Sequence, residues 1–203
     1  MGSSFRMPDP TPFARPQLEA AVRAPCLEEI SLDYFLPLLD IGLYPLPELL
    51  CFECFTGILK YEDLKLLVTT CPRLRALSIT VDTSSFRDAP DLPLLLPHLE
   101  DLMFQYDGSK SFFFLDHITT PSLAELVLPK ECPTDERFLN FLDRSGCSLQ
   151  IWEANMPLAY DGSDDHVRWS GVFKRMPQLQ TLRVRLAATS TWEGVNALDV
   201  LCS

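Results

Sequence analysis

Residues 72–79 read Pro72-Arg-Leu74-Arg-Ala-Leu77-Ser-Ile79. The phrase returns as Pro97-His-Leu99-Glu-Asp-Leu102-Met-Phe104, Pro121-Ser-Leu123-Ala-Glu-Leu126-Val-Leu128 and Pro177-Gln-Leu179-Gln-Thr-Leu182-Arg-Val184. Earlier copies are Pro25-Cys-Leu27-Glu-Glu-Ile30-Ser-Leu32 and Pro47-Glu-Leu49-Leu-Cys-Phe52-Glu-Cys54, and a degenerate one is Cys147-Ser-Leu149-Gln-Ile-Trp152-Glu-Ala154. The first Leu of each copy falls at 27, 49, 74, 99, 123, 149 and 179, at intervals of 22, 25, 25, 24, 26 and 30 residues. A period in this range marks a repeat architecture, because one such unit cannot bury its apolar face alone. In each copy the last two apolar positions alternate with a polar or variable one, the period of a strand with one buried face. Seven such strands stacked in parallel form a continuous apolar ridge.

The chain must return between strands, and several returns have helical periodicity. Residues 58–70 place Leu59, Leu64, Leu67 and Val68 on one face ahead of Pro72, and residues 134–144 do the same with Phe138, Leu139, Phe141 and Leu142 ahead of Gly146. Residues 163–176 open with an acidic first turn, Ser163-Asp164-Asp165, and predict a third helix; 13–23 and 191–201 predict two more. The returns at 84–96 and 107–120 are irregular, and Pro90, Pro93 and Pro97 forbid a long helix in the first.

The phrases CPRLRALSI, TTPSLAELVL, FLDRSGCSL and MPQLQTLRV resemble the leucine-rich repeat regions of fungal F-box-like proteins, especially those of mushroom-forming fungi, over residues 25–186. The resemblance implies an α/β fold: a solenoid of about seven repeats of 22–30 residues, with short parallel strands on the concave face and helices or irregular segments on the convex one. Residues 25–203 form this domain, preceded by an N-terminal segment, 1–24, with a short helix. One departure concerns the turns. The common repeat places Asn or Cys three residues after the last Leu, and here that position reads Phe35, Gly57, Asp82, Asp107, Glu131, Pro157 and Ala187.

Members of this family resemble adaptors, in which an F-box helix bundle docks on the linker subunit of a cullin ligase and the repeat arc holds the protein to be ubiquitinated. Residues 46–55, Leu-Pro-Glu-Leu-Leu-Cys-Phe-Glu-Cys-Phe, resemble the opening of that bundle. The repeat intervals on either side favour reading 47–54 as a strand copy and 58–70 as an outer helix. No polar capping unit is recognisable after the seventh copy, so self-association or a continuation of the chain is expected.

Composition sets the partner class. Lys and Arg total 17 against 28 Asp and Glu, a net charge of −11, which disfavours a nucleic-acid backbone as partner. No apolar run approaches the roughly 18–20 residues of a membrane span, and the N-terminus lacks the order of a signal peptide. Arg6 stands where a myristoylation signal has Ser or Thr. Seven cysteines, an odd number without a secretory signal, read as reduced thiols of the cytoplasm or nucleus. The Cys51-Phe-Glu-Cys54 pair lacks the second pair a structural zinc needs, and the acidic loop at 161–165 lacks the later Glu of a calcium loop. His98, His117 and His166 stand in no metal or catalytic spacing, and no nucleophile elbow or phosphate-cradling loop occurs. A binding protein without catalytic residues, cofactor or metal is therefore expected.

Residues flanking the inner strand positions face the concave surface. Among them Glu29, Asp33, Glu53, Asp101, Glu125 and Glu153 make an acidic stripe, joined by Met103, which turns basic at Arg183 and Arg185. Such a stripe predicts a protein partner with a basic segment. The resemblance adds a cullin-ligase linker subunit as a second partner; the alternative is a regulatory or assembly module without a ubiquitin link, or part of a larger protein.

Overall fold

Five of the Pro-x-Leu phrases open on a tight turn. In the computed structural model, which describes residues 3–7, 26–32, 46–87, 89, 92–106, 113–131, 136–156 and 171–186, Leu49, Leu74, Leu99, Leu123 and Leu179 donate their N–H groups to the carbonyls of Leu46, Cys71, Leu96, Thr120 and Met176 at 3.1–3.4 Å. Each bond closes a four-residue turn whose second residue is Pro47, Pro72, Pro97, Pro121 or Pro177. Proline fixes φ near the value that position requires, and its missing N–H is not needed there. No non-glycine residue among those described has positive φ, which excludes the type II turn. The proline excess of the sequence thus has a specific task in these five copies.

Strands follow the turns. They are β1 (Ser3–Met7), β2 (Leu27–Leu32), β3 (Cys51–Leu59), β4 (Ala76–Val81), β5 (Leu94–Leu95), β6 (Asp101–Tyr106), β7 (Ile118–Thr119), β8 (Glu125–Glu131), β9 (Ile151–Met156) and β10 (Thr181–Leu186). Eight form one open sheet in the order β1-β2-β3-β4-β6-β8-β9-β10, and β5 and β7 form a second, two-stranded one. Every pairing is parallel. Strand β1 lies where the sequence predicted only a segment with a helix, and it adds to the same sheet as the repeats. Its five residues carry no copy of the phrase, so periodicity had no signal there.

Equivalent positions of the seven phrases stand side by side. One row of paired residues runs Glu29, Cys51, Ala76, Asp101, Glu125, Ile151, Thr181. The next row, Ile30, Phe52, Leu77, Leu102, Leu126 and Trp152, is buried to 1% exposure or less. Two residues on, Leu32, Cys54, Ile79, Phe104, Leu128 and Ala154 are buried as well. The first Leu of the first six phrases adds a third buried row, Leu27, Leu49, Leu74, Leu99, Leu123 and Leu149. These rows join one apolar core with side chains from the returning segments.

The returns differ in their secondary structure. Helix α1 (Tyr61–Thr70) begins later than the periodicity predicted, since Ile58 and Leu59 belong to β3. Its first N–H, on Tyr61, is received by Ser85 Oγ of the following return at 3.1 Å, and Asp63 accepts the Lys60 N–H at 3.1 Å. Among the described residues, the two irregular returns supply single helical turns, α2 (Thr83–Arg87) and α3 (Phe113–Asp116). Each inserts a phenylalanine: Phe86 packs edge-on against Tyr61 and Phe114, with centroids 5.6 and 5.3 Å away, and Phe114 lies 4.7 Å from Phe104. Helix α4 (Glu136–Ser145) buries Phe138, Phe141, Leu142 and Ser145, and Phe138 stacks on Trp152 at 5.2 Å. It ends at Gly146, whose φ of 59° is the left-handed value of a helix C-terminus and whose N–H returns to Leu142. Of the helix expected at 163–176, residues 171–174 are helical; its remaining part and the helices expected at 13–23 and 191–201 lie outside the described residues.

Candidate functional site

Strand alternation leaves one face of the sheet outside the core. Its rows are Glu29 to Thr181, given above, and Ser31, Glu53, Ser78, Met103, Val127, Glu153, Arg183. The structure therefore brings Glu29, Glu53, Asp101, Met103, Glu125, Glu153 and Arg183 onto one surface, as their spacing predicted. Most are half-buried; Asp101 and Arg183 are exposed, and Val127 is buried at 8% exposure despite its outward register. Arg185 belongs to β10 by its backbone, while its side chain, like all of Asp33, lies outside the described residues.

The charge of this face departs from the stripe expected. Arg183 does not form a separate basic end. Its Nη1 lies 3.6 Å from Glu125 Oε1 and 3.8 Å from Glu153 Oε2, so it is spent on two of the predicted acids. The linear reading missed this because Glu125 and Arg183 are 58 residues apart in sequence, yet β8 and β10 are separated by a single strand. What remains is an acidic half. Among the described residues no ion pair reaches Glu29, Glu53 or Asp101, whereas the neighbouring Glu100 meets Arg75 at 3.6 Å and Glu48 is bound by Arg73.

Cys51 lies in the row between Glu29 and Asp101, with Glu53 two residues along its own strand. Burial, then Glu53, Glu29 and Asp101, push its thiol from the ordinary 9.0 up to about 11. All three carboxylates thus raise the same thiol, which keeps its proton well above neutral pH. Burial raises the Asp101 carboxyl, with Glu100 adding to the effect. Cys54 is buried on the opposite side of the sheet from Cys51, so the Cys51–Cys54 pair cannot chelate one ion.

The segment 46–55 enters the sheet as a turn followed by β3, rather than as part of a helix bundle. Its end carries a feature the repeat reading passed over. The register slips between Cys54 and Ile58, leaving Phe55 and Ile58 exposed beside Glu53. Gly57 inside an apolar run was the available signal, since an isolated glycine in a strand marks a bulge. On the turn side of the sheet, Val68, Cys71, Pro72, Leu74, Leu95, Leu96 and Pro97 line an apolar cleft of about 210 Å³. Its one ionisable group is Cys71, pushed by burial up to about 11. His98 is exposed on a turn, and His117 is buried against Tyr61 and Phe86, away from the outward face; His166 lies outside the described residues. No helix among the described residues is long and apolar enough to cross a membrane. The chain matches no family model, and no curated protein or solved structure matches it.

Proposed function

We propose that this chain is a leucine-rich repeat solenoid whose outward strand face is concave and binds a protein through a basic segment, without catalysis, cofactor or metal. The observation that carries the reading is the acidic half of that face. Glu29, Glu53 and Asp101 stand on the strands around Cys51, and among the described residues no ion pair reaches them. Like charges gathered on one surface cost stability through mutual repulsion, and a cationic partner relieves it while gaining a faster encounter. The register of seven phrases, one strand per copy, supports the solenoid.

The sequence resemblance supports a role like the substrate-recognition part of an F-box-like ubiquitin ligase adaptor. The strand conformation of 51–59 favours the second reading, a binding module of the same build with no ubiquitin link, because that segment is used within the sheet. Affinity purification of the wild type and of a Glu29→Lys, Glu53→Lys, Asp101→Lys variant tests both. The variant is expected to lose the specific partner with unchanged circular dichroism, and retention of every partner refutes the acidic face. A cullin linker subunit among the proteins recovered by both forms separates the adaptor from the module.

A further inference from the structure

The carboxylates of the outward face account for cations in a partner, but not for the two apolar side chains beside them. Cys54 pairs with Ile79 and Ile58 with Thr80, so Phe55, Thr56 and Gly57 have no counterparts on β4. Such a bulge re-aims the side chains around it and is over-represented where a strand meets a ligand. It is fastened in place: Thr80 Oγ1 donates to the Phe55 carbonyl at 2.9 Å. After the bulge Leu59 rejoins the core at full burial, while Ile58 takes the outward position opposite Thr80. Phe55 and Ile58 are thereby 40% and 46% exposed. The next strands fill the same row with Thr80 and Gln105. A strand needing only to finish the sheet would be polar here too.

Resting on the reading of this face as a partner-binding surface, we infer that Phe55 and Ile58 are its apolar anchor, and that the segment it takes carries an apolar side chain next to Arg or Lys. Glu53 precedes Phe55 by two residues on β3, which is about 6.6 Å along a strand, the distance between same-face residues i and i+2 of an extended peptide. An apolar-x-basic pattern therefore meets Phe55 or Ile58 with one side chain and Glu53 with the other. An aromatic ring adjacent to a carboxylate also suits a guanidinium, which lies flat on the ring and pairs with the acid. A second copy of this chain fits poorly, since its net charge of −11 repels the same carboxylates.

The test uses the full chain and two short fluorescein-labelled peptides, one alternating Leu with Arg at i and i+2, the other with Ser in place of Leu. Fluorescence anisotropy is expected to show the Leu/Arg peptide bound at least about tenfold more tightly than the Ser/Arg peptide. The double variant Phe55→Ser, Ile58→Ser is expected to bring the two within about twofold. If the double variant fails to fold, Phe55→Arg, a single exposed change, is expected to bind the Leu/Arg peptide more weakly than the wild type does. Equal binding of the two peptides by the wild type overturns the anchor and leaves the acidic-face reading standing. Failure to bind either at low salt overturns the acidic-face reading itself. A wild-type dimer in sedimentation that the double variant lacks also overturns the inference, by assigning the ridge to a second copy.

Discussion

Arg183 on β10 reaches back across β9 to Glu125 on β8, with Nη1 3.6 Å from Oε1. With its second contact, to Glu153, it divides the outward face into a half on β8–β10 where one cation meets two carboxylates and a half on β2–β6 whose acids have no ion pair among the described residues. Replacing Arg183 by Ala releases Glu125 and Glu153 and extends the acidic field across the sheet. A cationic peptide is then expected to bind several-fold more tightly, with steeper salt dependence. Stability should change by less than about 1 kcal/mol, as for exposed ion pairs, which melting curves will check.

Arg144 is the opposite case, a cation used to hold backbone. It donates to the carbonyls of Leu115 and, at 2.9 Å, Ile118, and burial lowers its pKa. Arg144→Ala leaves these carbonyls without their donor and is expected to cost about 2 kcal/mol in urea unfolding. Lys restores charge but not the fork, so Arg144→Lys should recover only part of the loss.

Adjacent residues on β6 test the two faces directly. Leu102, at 1% exposure, faces the core, and Met103 faces outward. Leu102→Ala is expected to destabilise by about 3 kcal/mol through lost burial and a cavity. Met103→Ala should change stability by less than about 1 kcal/mol. Similar losses at both would contradict the register.

Gly146 closes α4 at φ 59° with nothing within 4 Å of where a Cβ would stand. Gly146→Ala therefore carries a backbone cost without a clash, about 1 kcal/mol by chemical unfolding. Gly146→Asn should cost less, because asparagine tolerates this conformation.

Alkaline stability should reflect the buried thiols. Cys51 and Cys71 are raised from 9.0 to about 11, so the fold holds their protons more tightly than the unfolded chain does. The stability this contributes is whole below pH 9 and is lost as pH rises through 11. A Cys51→Ala, Cys71→Ala variant is expected to lose less stability than the wild type between pH 9 and 11 in urea titrations.

The sequence by itself determined the strand rows. A Leu recurring at nearly constant spacing, with apolar positions alternating behind it, is enough to say which side chains face inward. Ile30 through Trp152 obey that rule strand by strand. The prolines were legible as boundaries, and the structure adds that they are the second residues of repeated turns. Helix ends shifted by a few residues because Ile58 and Leu59 satisfy either a helical face or a strand.

Only the tertiary structure decided how the outward face is charged. Alternation places Glu125, Glu153 and Arg183 outward but cannot say which are neighbours, since that depends on strand order and register. The same holds for the bulge that exposes Phe55 and Ile58, which local pattern reads as more core. It holds too for β1, which has no phrase of its own and joins the sheet through backbone hydrogen bonds that any sequence can make. Inward positions repeat because every strand meets the same core; outward ones are set by whichever strand lies alongside.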